Sequence, residues 1–179
     1  MRGRRELRGS AALRSARAET RAAFENRALF YRHLLQELGS EIGRERAAEL
    51  MRRAIRRRGA EIGEKYRAAA AERDLDAVAR IFCEESPCEG ALFEPGVEEG
   101  PAEGRVVLRM TACPLVDAWR GSGLPPEEVD LLCDVAAAVD HGTFEEAGLR
   151  LTFLDRRGRR GSSRCLLELR LPGREGGEA

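Results

Sequence analysis

The side chains best suited to chemistry are concentrated in one stretch of the sequence, from Thr111 to Leu154. This stretch holds Cys113 and Cys133, the single tryptophan Trp119, and His141, one of only two histidines. Thiols, carboxylates and imidazoles are the groups that proteins use as nucleophiles, proton carriers and metal ligands. We therefore expect a functional site, where there is one, to lie in this stretch.

Cys113 is predicted to lie where a strand ends and a helix begins. Apolar residues alternate from Val106 to Ala112, as in a half-buried strand. Pro114 suits the first turn of a helix, which Gly121 is expected to end. The N–H groups of a first helical turn can lower the pKa of a thiol and hold an anion. Cys113 is thus a candidate nucleophile, and the alternative is a buried structural cysteine.

A second helix is predicted from Glu127 to Val139. Along it, Cys133 and Asp140 lie two helical turns apart, which places a thiol and a carboxylate on one face. A lone ionised carboxylate is costly to bury, so Asp140 should have a partner. We expect Cys113, Cys133 and Asp140 to approach one cavity.

The chain is predicted to leave this helix over residues 140–142, where Gly142 can take the left-handed C-terminal conformation. Asp140 and His141 would then stand at the helix end, near a strand from Leu149 to Leu154. Either side chain could transfer protons there.

Three aromatic residues and one more cysteine complete the candidates. Tyr31, Trp119 and Phe144 are candidate substrate-binding residues, and the alternative for Trp119 and Phe144 is an ordinary core position. Cys165 shares an apolar strand face with alternate leucines in a C-terminal hairpin, which favours a core position.

The remaining elements predict an α+β fold, in which an N-terminal helical layer packs on an antiparallel sheet of three to four strands. Residues 1–22 are expected to be a poorly ordered or helical Arg-rich tail, and 23–179 a single domain with a helical half (23–85) and a sheet-containing half (90–171). The predicted helices are 23–38, ended by Gly39; 40–58, capped by Ser40 and ended by Gly59; 60–71; and a helix capped by Asp74. The predicted first strand is 91–97, joined to 106–112 by a turn.

Composition narrows the class of protein. The chain has 179 residues, no net charge, and 42% hydrophobic and 35% charged residues, which suits one domain with a sizeable core. Residues 1–67 carry a balance of +9 and the remainder −9, so contact between the two halves or between subunits explains the asymmetry as readily as a nucleic-acid partner. The sequence has no signal-peptide pattern and no phosphate loop. We expect a cytoplasmic protein, with no membrane or nucleic-acid partner, that forms a homo-oligomer or a monomer.

Several segments, taken in order, resemble the L-2-amino-thiazoline-4-carboxylic acid hydrolase family over about 29–171. The segments are the stretch around Tyr31, the ELMRRAI helix, CPLVDAW, Cys133, DHGTFE and Cys165. The resemblance implies a hydrolase that opens a thiazoline ring at its amidine carbon.

Two functional hypotheses stay open. In the first, the protein hydrolyses a carbon–nitrogen bond in a small cyclic amidine or amide. Cys113 attacks the carbon, or a divalent metal such as zinc activates water, and Asp140 or His141 handles protons. In the second, it is a non-catalytic module that binds a small molecule or a metal through clustered Cys, Asp and His side chains.

Overall fold

The computed structural model describes residues 2–173, with side chains from residue 11 onward. The helices are α1 (Arg2–Ile42), α2 (Arg44–Gly63), α3 (Arg67–Ala71), α4 (Leu75–Glu84), α5 (Pro114–Gly121) and α6 (Pro126–Glu146), with a 3-10 turn at Glu64–Tyr66. The strands are β1 (Pro95–Ala102), β2 (Arg105–Met110), β3 (Arg150–Asp155) and β4 (Cys165–Arg170). This is the α+β arrangement that the sequence predicts, with a helical layer followed by a small sheet.

The four strands form one antiparallel sheet in the order β1-β2-β4-β3. α6 connects β2 to β3 in the chain, as predicted, together with α5. Leu151 of β3 and Leu167 and Leu169 of β4 are buried on the face that meets the helices. The predicted bounds of β2 and β3 are correct to within two residues.

The boundary between α1 and α2 lies later than predicted. The helix does not end at Gly39, and Ser40 does not cap α2, because the Ser40 hydroxyl donates a hydrogen bond to the Glu37 carbonyl within α1. The chain breaks at Gly43 instead, where φ is 85°, a value that glycine adopts without the steric cost of a side chain.

The predicted ends of α2 at Gly59 and of α6 at Gly142 are also wrong. Both helices run on past these residues, to Gly63 and Glu146. A Cβ added at Gly142 would collide with the Arg56 carbonyl oxygen, and one added at Gly59 with the Val139 carbonyl oxygen. These glycines permit close approach of two helices rather than ending them.

The first strand lies later in the chain than the predicted range 91–97. Residues 91–93 are in turns, and the polar residues predicted to form a turn pair with β2 instead, as in Glu99 with Val107 and Ala102 with Arg105. β1 is an edge strand with two register shifts. Pro101 and Gly100 are tolerated there because an edge strand has neighbours on one side only.

Candidate functional site

A cavity of about 490 Å³ lies between the helical layer and the sheet. Its wall draws on both hydrophobic clusters of the protein: Tyr66 and Phe144 belong to the cluster on the sheet, and Trp119 and Val116 to the cluster among α1, α5 and α6. Cys113, Cys133 and Asp140 all line it. The structure therefore brings the three predicted site residues into one cavity.

Asp140 is the acidic residue of the cavity wall whose pKa is raised. Burial raises the pKa of its carboxyl group from 3.8 to about 7. Within residues 11–173, no side chain forms a hydrogen bond or ion pair with it, so the partner expected from the sequence is missing. The carboxyl group is consequently close to half protonated at neutral pH, as a group that both gives and takes protons should be.

Asp140 also acts on its neighbours in the wall. Burial raises the pKa of the Tyr66 hydroxyl, and the charge of Asp140 raises it further. The same two causes raise the pKa of the Cys133 and Cys165 thiols, with burial the larger. A phenol and two thiols thus lie within electrostatic reach of one carboxylate.

Cys113 occupies the N-cap position of α5 with extended backbone, as predicted, but makes no capping hydrogen bond. Burial raises the pKa of its thiol to about 11, although the backbone N–H groups of Val116 and Leu115 act in the opposite direction. The expectation of a lowered thiol pKa is therefore wrong. Removal of water from around the sulfur raises the pKa more than the first-turn amides lower it. The group is therefore a thiol at neutral pH.

Cys133 and Cys165 are buried, and both line the cavity. The backbone N–H of Arg157 donates a hydrogen bond to the Cys165 sulfur at 3.3 Å. All five cysteines are free thiols. Among the described residues, no group of three or more His, Cys, Asp or Glu side chains has an arrangement that could hold a metal ion. Those residues thus offer no ready-made zinc site.

The sequence matches the model of the family described as L-2-amino-thiazoline-4-carboxylic acid hydrolase over residues 21–168. The chain belongs to this family. The match includes Tyr66, Cys113, Cys133, Asp140 and Cys165, the five cavity residues with raised pKa values described above. No curated protein matches the chain.

Among solved structures, the family member is similar to subunit 3 of a trafficking protein particle complex from Naegleria fowleri, covalently bound to palmitic acid. The two are 11% identical, with a TM-score of 0.48, and the alignment covers 85% of this chain and 96% of that one. This likeness concerns the general course of the chain and says nothing about chemistry.

In this member of the L-2-amino-thiazoline-4-carboxylic acid hydrolase family, the three predicted aromatic residues also line the cavity. Trp119 is fully buried, and its indole N–H donates a hydrogen bond to the Ala28 carbonyl at 2.7 Å. Phe144 is buried against the Tyr66 ring. Tyr31 is half-buried, and burial raises the pKa of its hydroxyl.

His141 lies apart from the other predicted site residues. Because α6 continues to Glu146, His141 and Asp140 are consecutive residues of a helix and point in different directions. His141 lines a second, neighbouring cavity of about 550 Å³, and its Nδ1 lies 2.9 Å from a carboxylate oxygen of Glu145. The predicted position of Asp140 and His141 at the end of a helix is therefore wrong.

Two residues of the cavity wall carry no signal in the sequence. Tyr66 lies in the 3-10 turn after α2, within the range 60–71 that the sequence predicts as one helix, and no local pattern distinguishes it there. Arg156 lies in the Arg-rich loop between β3 and β4, yet it is buried and donates hydrogen bonds to Asp134 at 2.7 Å and Asp130 at 2.9 Å. Arg156 lines both cavities. Only the packing of that loop on α6 distinguishes Arg156 from its neighbours.

None of the helices in residues 2–173 is both long and apolar enough to cross a bilayer.

Proposed function

We propose that the protein hydrolyses a carbon–nitrogen bond in a small cyclic amidine, with Asp140 as the group that transfers the proton. The observation that carries this proposal is the position of Asp140 in an apolar cavity, without a cationic partner among the described residues, where burial raises its pKa to about 7. An amidine is basic and planar, and in its protonated form two N–H groups match the two oxygens of a carboxylate. The family membership supports the same substrate class.

Proton transfer is the difficult part of this reaction. An amidine carbon is a poor electrophile until its nitrogen carries a proton, and the leaving nitrogen must depart as a neutral amine. Asp140 in its acid form donates its proton to the ring nitrogen of the neutral amidine, and the resulting amidinium pairs with the Asp140 carboxylate. Its carboxylate form then takes a proton from the nucleophile, so that one group serves both steps and returns to its starting state.

The nucleophile on the amidine carbon is Cys113 or a water molecule. The pKa of the Cys113 thiol, about 11, opposes spontaneous formation of a thiolate. A bound amidinium cation would lower that pKa, since a nearby positive charge favours the anion. In the covalent version, sulfur adds to the carbon, the carbon–nitrogen bond breaks, and water later displaces sulfur from the same carbon. In the direct version, water adds without the covalent intermediate.

The decisive measurement is turnover of 2-amino-thiazoline-4-carboxylate by the wild type and by Asp140→Asn and Cys113→Ser variants, with metal content quantified in each. Asp76→Asn and Cys88→Ser are matched controls, because neither residue lines the two cavities described above. Asp140→Asn should lose about 100-fold or more in kcat, the usual contribution of a positioned acid or base. An Asp140→Asn protein at full rate would contradict the proposal.

The Cys113→Ser variant separates the two versions of the mechanism. If sulfur attacks, this variant stays folded but loses nearly all activity, and a covalent adduct with wild-type Cys113 is detectable by mass spectrometry after acid quenching. If water attacks directly, the variant keeps substantial activity and no adduct forms.

The product identifies the bond that breaks. Cleavage of the ring carbon–nitrogen bond yields a primary amine without a free thiol, and cleavage of the exocyclic bond releases ammonia. Cleavage of the carbon–sulfur bond would instead release a free thiol, which Ellman's reagent detects. Release of thiol as the first product would show that the carbon–nitrogen assignment is wrong.

A second candidate function is binding without turnover, which the apolar wall of the cavity favours. Binding of the amidine by wild type, measured by calorimetry, with no product after prolonged incubation would support this candidate. For either function the partner is a small molecule. We further propose a cytoplasmic location, supported by the five free thiols.

A further inference from the structure

The cavity has room for more than the compound after which the family is named. That compound has nine non-hydrogen atoms, and if each filled as much space as a liquid water molecule, about 30 Å³, it would occupy little more than half of the cavity. The cavity measures about 490 Å³, within the range of sites that enclose considerably larger ligands. About seven further methylene-sized groups would fit.

Much of the cavity wall is apolar and aromatic. Phe24 and Phe93 lie edge to face with their ring centroids 5.2 Å apart, and both line the cavity. Tyr31 and Phe82, which are only partly buried, add further ring surface. A small, highly charged substrate would leave this wall facing water, which is unfavourable, whereas an apolar substituent would cover it.

The charges around the cavity favour a cation at one place. Three of the basic residues in its lining already have acidic partners: Arg58 with Glu61, Lys65 with Glu85, and Arg156 with Asp130 and Asp134. The guanidinium of the fourth, Arg27, lies over the Phe24 ring at 4.7 Å. Asp140 has no cationic partner among the described residues. The cavity thus combines one carboxyl group that lacks a described cationic partner with a broad aromatic wall.

We propose that the natural substrate is a cyclic amidine carrying an apolar substituent of about seven carbon atoms, with the amidinium on Asp140 and the substituent against the aromatic wall formed by Phe24, Phe93 and Tyr31. This inference rests on the proposed function, because it specifies the substrate class of the same site.

The first experiment measures hydrolysis of 2-amino-thiazolines that carry hydrogen, propyl, hexyl or decyl substituents on the exocyclic nitrogen or on ring carbon 5. We expect kcat/KM to rise by up to about fourfold for each methylene buried and to level off near seven carbons. The gain should appear in KM, since the wall contacts ground state and transition state equally. Equal kcat/KM across both series would overturn the inference while leaving the hydrolase proposal intact.

A pair of variants on α1 locates the apolar subsite. Phe24→Gln should reduce the ratio of kcat/KM between the hexyl and unsubstituted compounds by about tenfold or more, consistent with the loss of several buried methylene equivalents. Phe30→Gln is the matched control, because Phe30 is on the same helix but 61% exposed and outside the cavity lining. Equal loss of the ratio in both variants would count against the assigned wall. The wild-type chain-length series decides the question even if Phe24→Gln does not fold.

A binding experiment that needs no catalysis separates this inference from the proposed function. Calorimetry on the wild type compares acetamidinium, hexanamidinium and hexanoate. Tighter binding of hexanamidinium than of either other compound supports the inference, even if no amidine is hydrolysed and the proposed function fails. Hexanoate binding as tightly as hexanamidinium would overturn it, because the carboxylate of the site would then not select a cation.

Discussion

Gly59 of α2 and Gly142 of α6 face each other where the two helices cross, and neither has room for a methyl group. A Cβ at Gly142 would lie 2.9 Å from the Ala60 backbone nitrogen and would collide with the Arg56 carbonyl oxygen. The contact is between backbones, which cannot move aside as flexible side chains do. Asp140 lies two residues before Gly142, so this crossing fixes the depth at which its carboxylate meets the cavity.

Gly142→Ala should therefore destabilise the protein by about 1–3 kcal/mol or more, the usual cost of overpacking a core. Chemical denaturation followed by circular dichroism measures the change. Gly121→Ala is the matched control, because a Cβ at Gly121 meets no atom within 4 Å, and this variant should have near wild-type stability. Similar losses in the two variants would show that the helix crossing is not the cause.

The raised pKa of Asp140 makes stability depend on pH. Between pH 3.8 and about 7, the folded protein retains a proton that the unfolded chain has lost. The contribution of this residue to stability is therefore fully present below pH 3.8, falls as pH rises towards 7, and is constant above it. The Asp140→Asn variant has no carboxyl group to ionise, so it does not lose this stability as pH rises. Over that interval it should become more stable than wild type, by up to about 4 kcal/mol before allowing for water in the cavity. Denaturant unfolding at several pH values measures the difference, and parallel wild-type and variant profiles would contradict the prediction.

Arg156 should be far more important for stability than the surface arginines. It is 8% exposed, and its two hydrogen bonds attach the β3–β4 loop to α6. Arg156→Ala should cost about 1.5–3 kcal/mol, as expected for loss of hydrogen bonds between charged groups.

Arg164→Ala is the control for this prediction. Arg164 pairs with Glu98 at 2.7 Å on the surface, and exposed pairs contribute about 0–1 kcal/mol. Thermal unfolding of both variants supplies the comparison. Equal losses of stability in the two variants would show that the buried position of Arg156 does not make it more important for stability.

Trp119→Phe should lower the free energy of unfolding by about 1–3 kcal/mol, because it removes buried ring surface and leaves the Ala28 carbonyl without the indole donor. Urea unfolding monitored by circular dichroism tests this. Ser122→Ala provides the comparison: its hydroxyl donates to the Trp119 carbonyl at 2.8 Å near the end of α5, and a loss below about 1 kcal/mol is expected for this partly exposed bond. A Trp119→Phe protein as stable as wild type would show that the hydrogen bond to α1 contributes little.

Local patterns in the sequence were sufficient to predict most elements near the site. The alternation of Val106 to Ala112 and the proline at 114 correctly placed Cys113 between β2 and α5, and the helical spacing of Cys133 and Asp140 placed both on the cavity face. These features depend on neighbours in the chain, which a sequence records directly.

The errors share a physical cause. A glycine ends a helix in one context and permits a close helix crossing in another, and the sequence around Gly59 and Gly142 does not distinguish the two. The wrong end of α6 then led to the wrong position for His141. The pKa of Cys113 was misjudged because the effect of first-turn amides is local, whereas burial depends on the whole fold.

α6 contributes to both hydrophobic clusters: Val129, Leu132 and Val135 belong to one, and Phe144 and Ala147, at its C-terminal end, to the other. A cavity lies between the clusters. Because α6 packs in both of them, it is a principal connection that couples the unfolding of one cluster to the unfolding of the other. Cooperative units of a protein open separately when few contacts join them. Amide hydrogen exchange should accordingly be slowest in the middle of α6, and a ligand that fills the cavity should slow exchange in both clusters together.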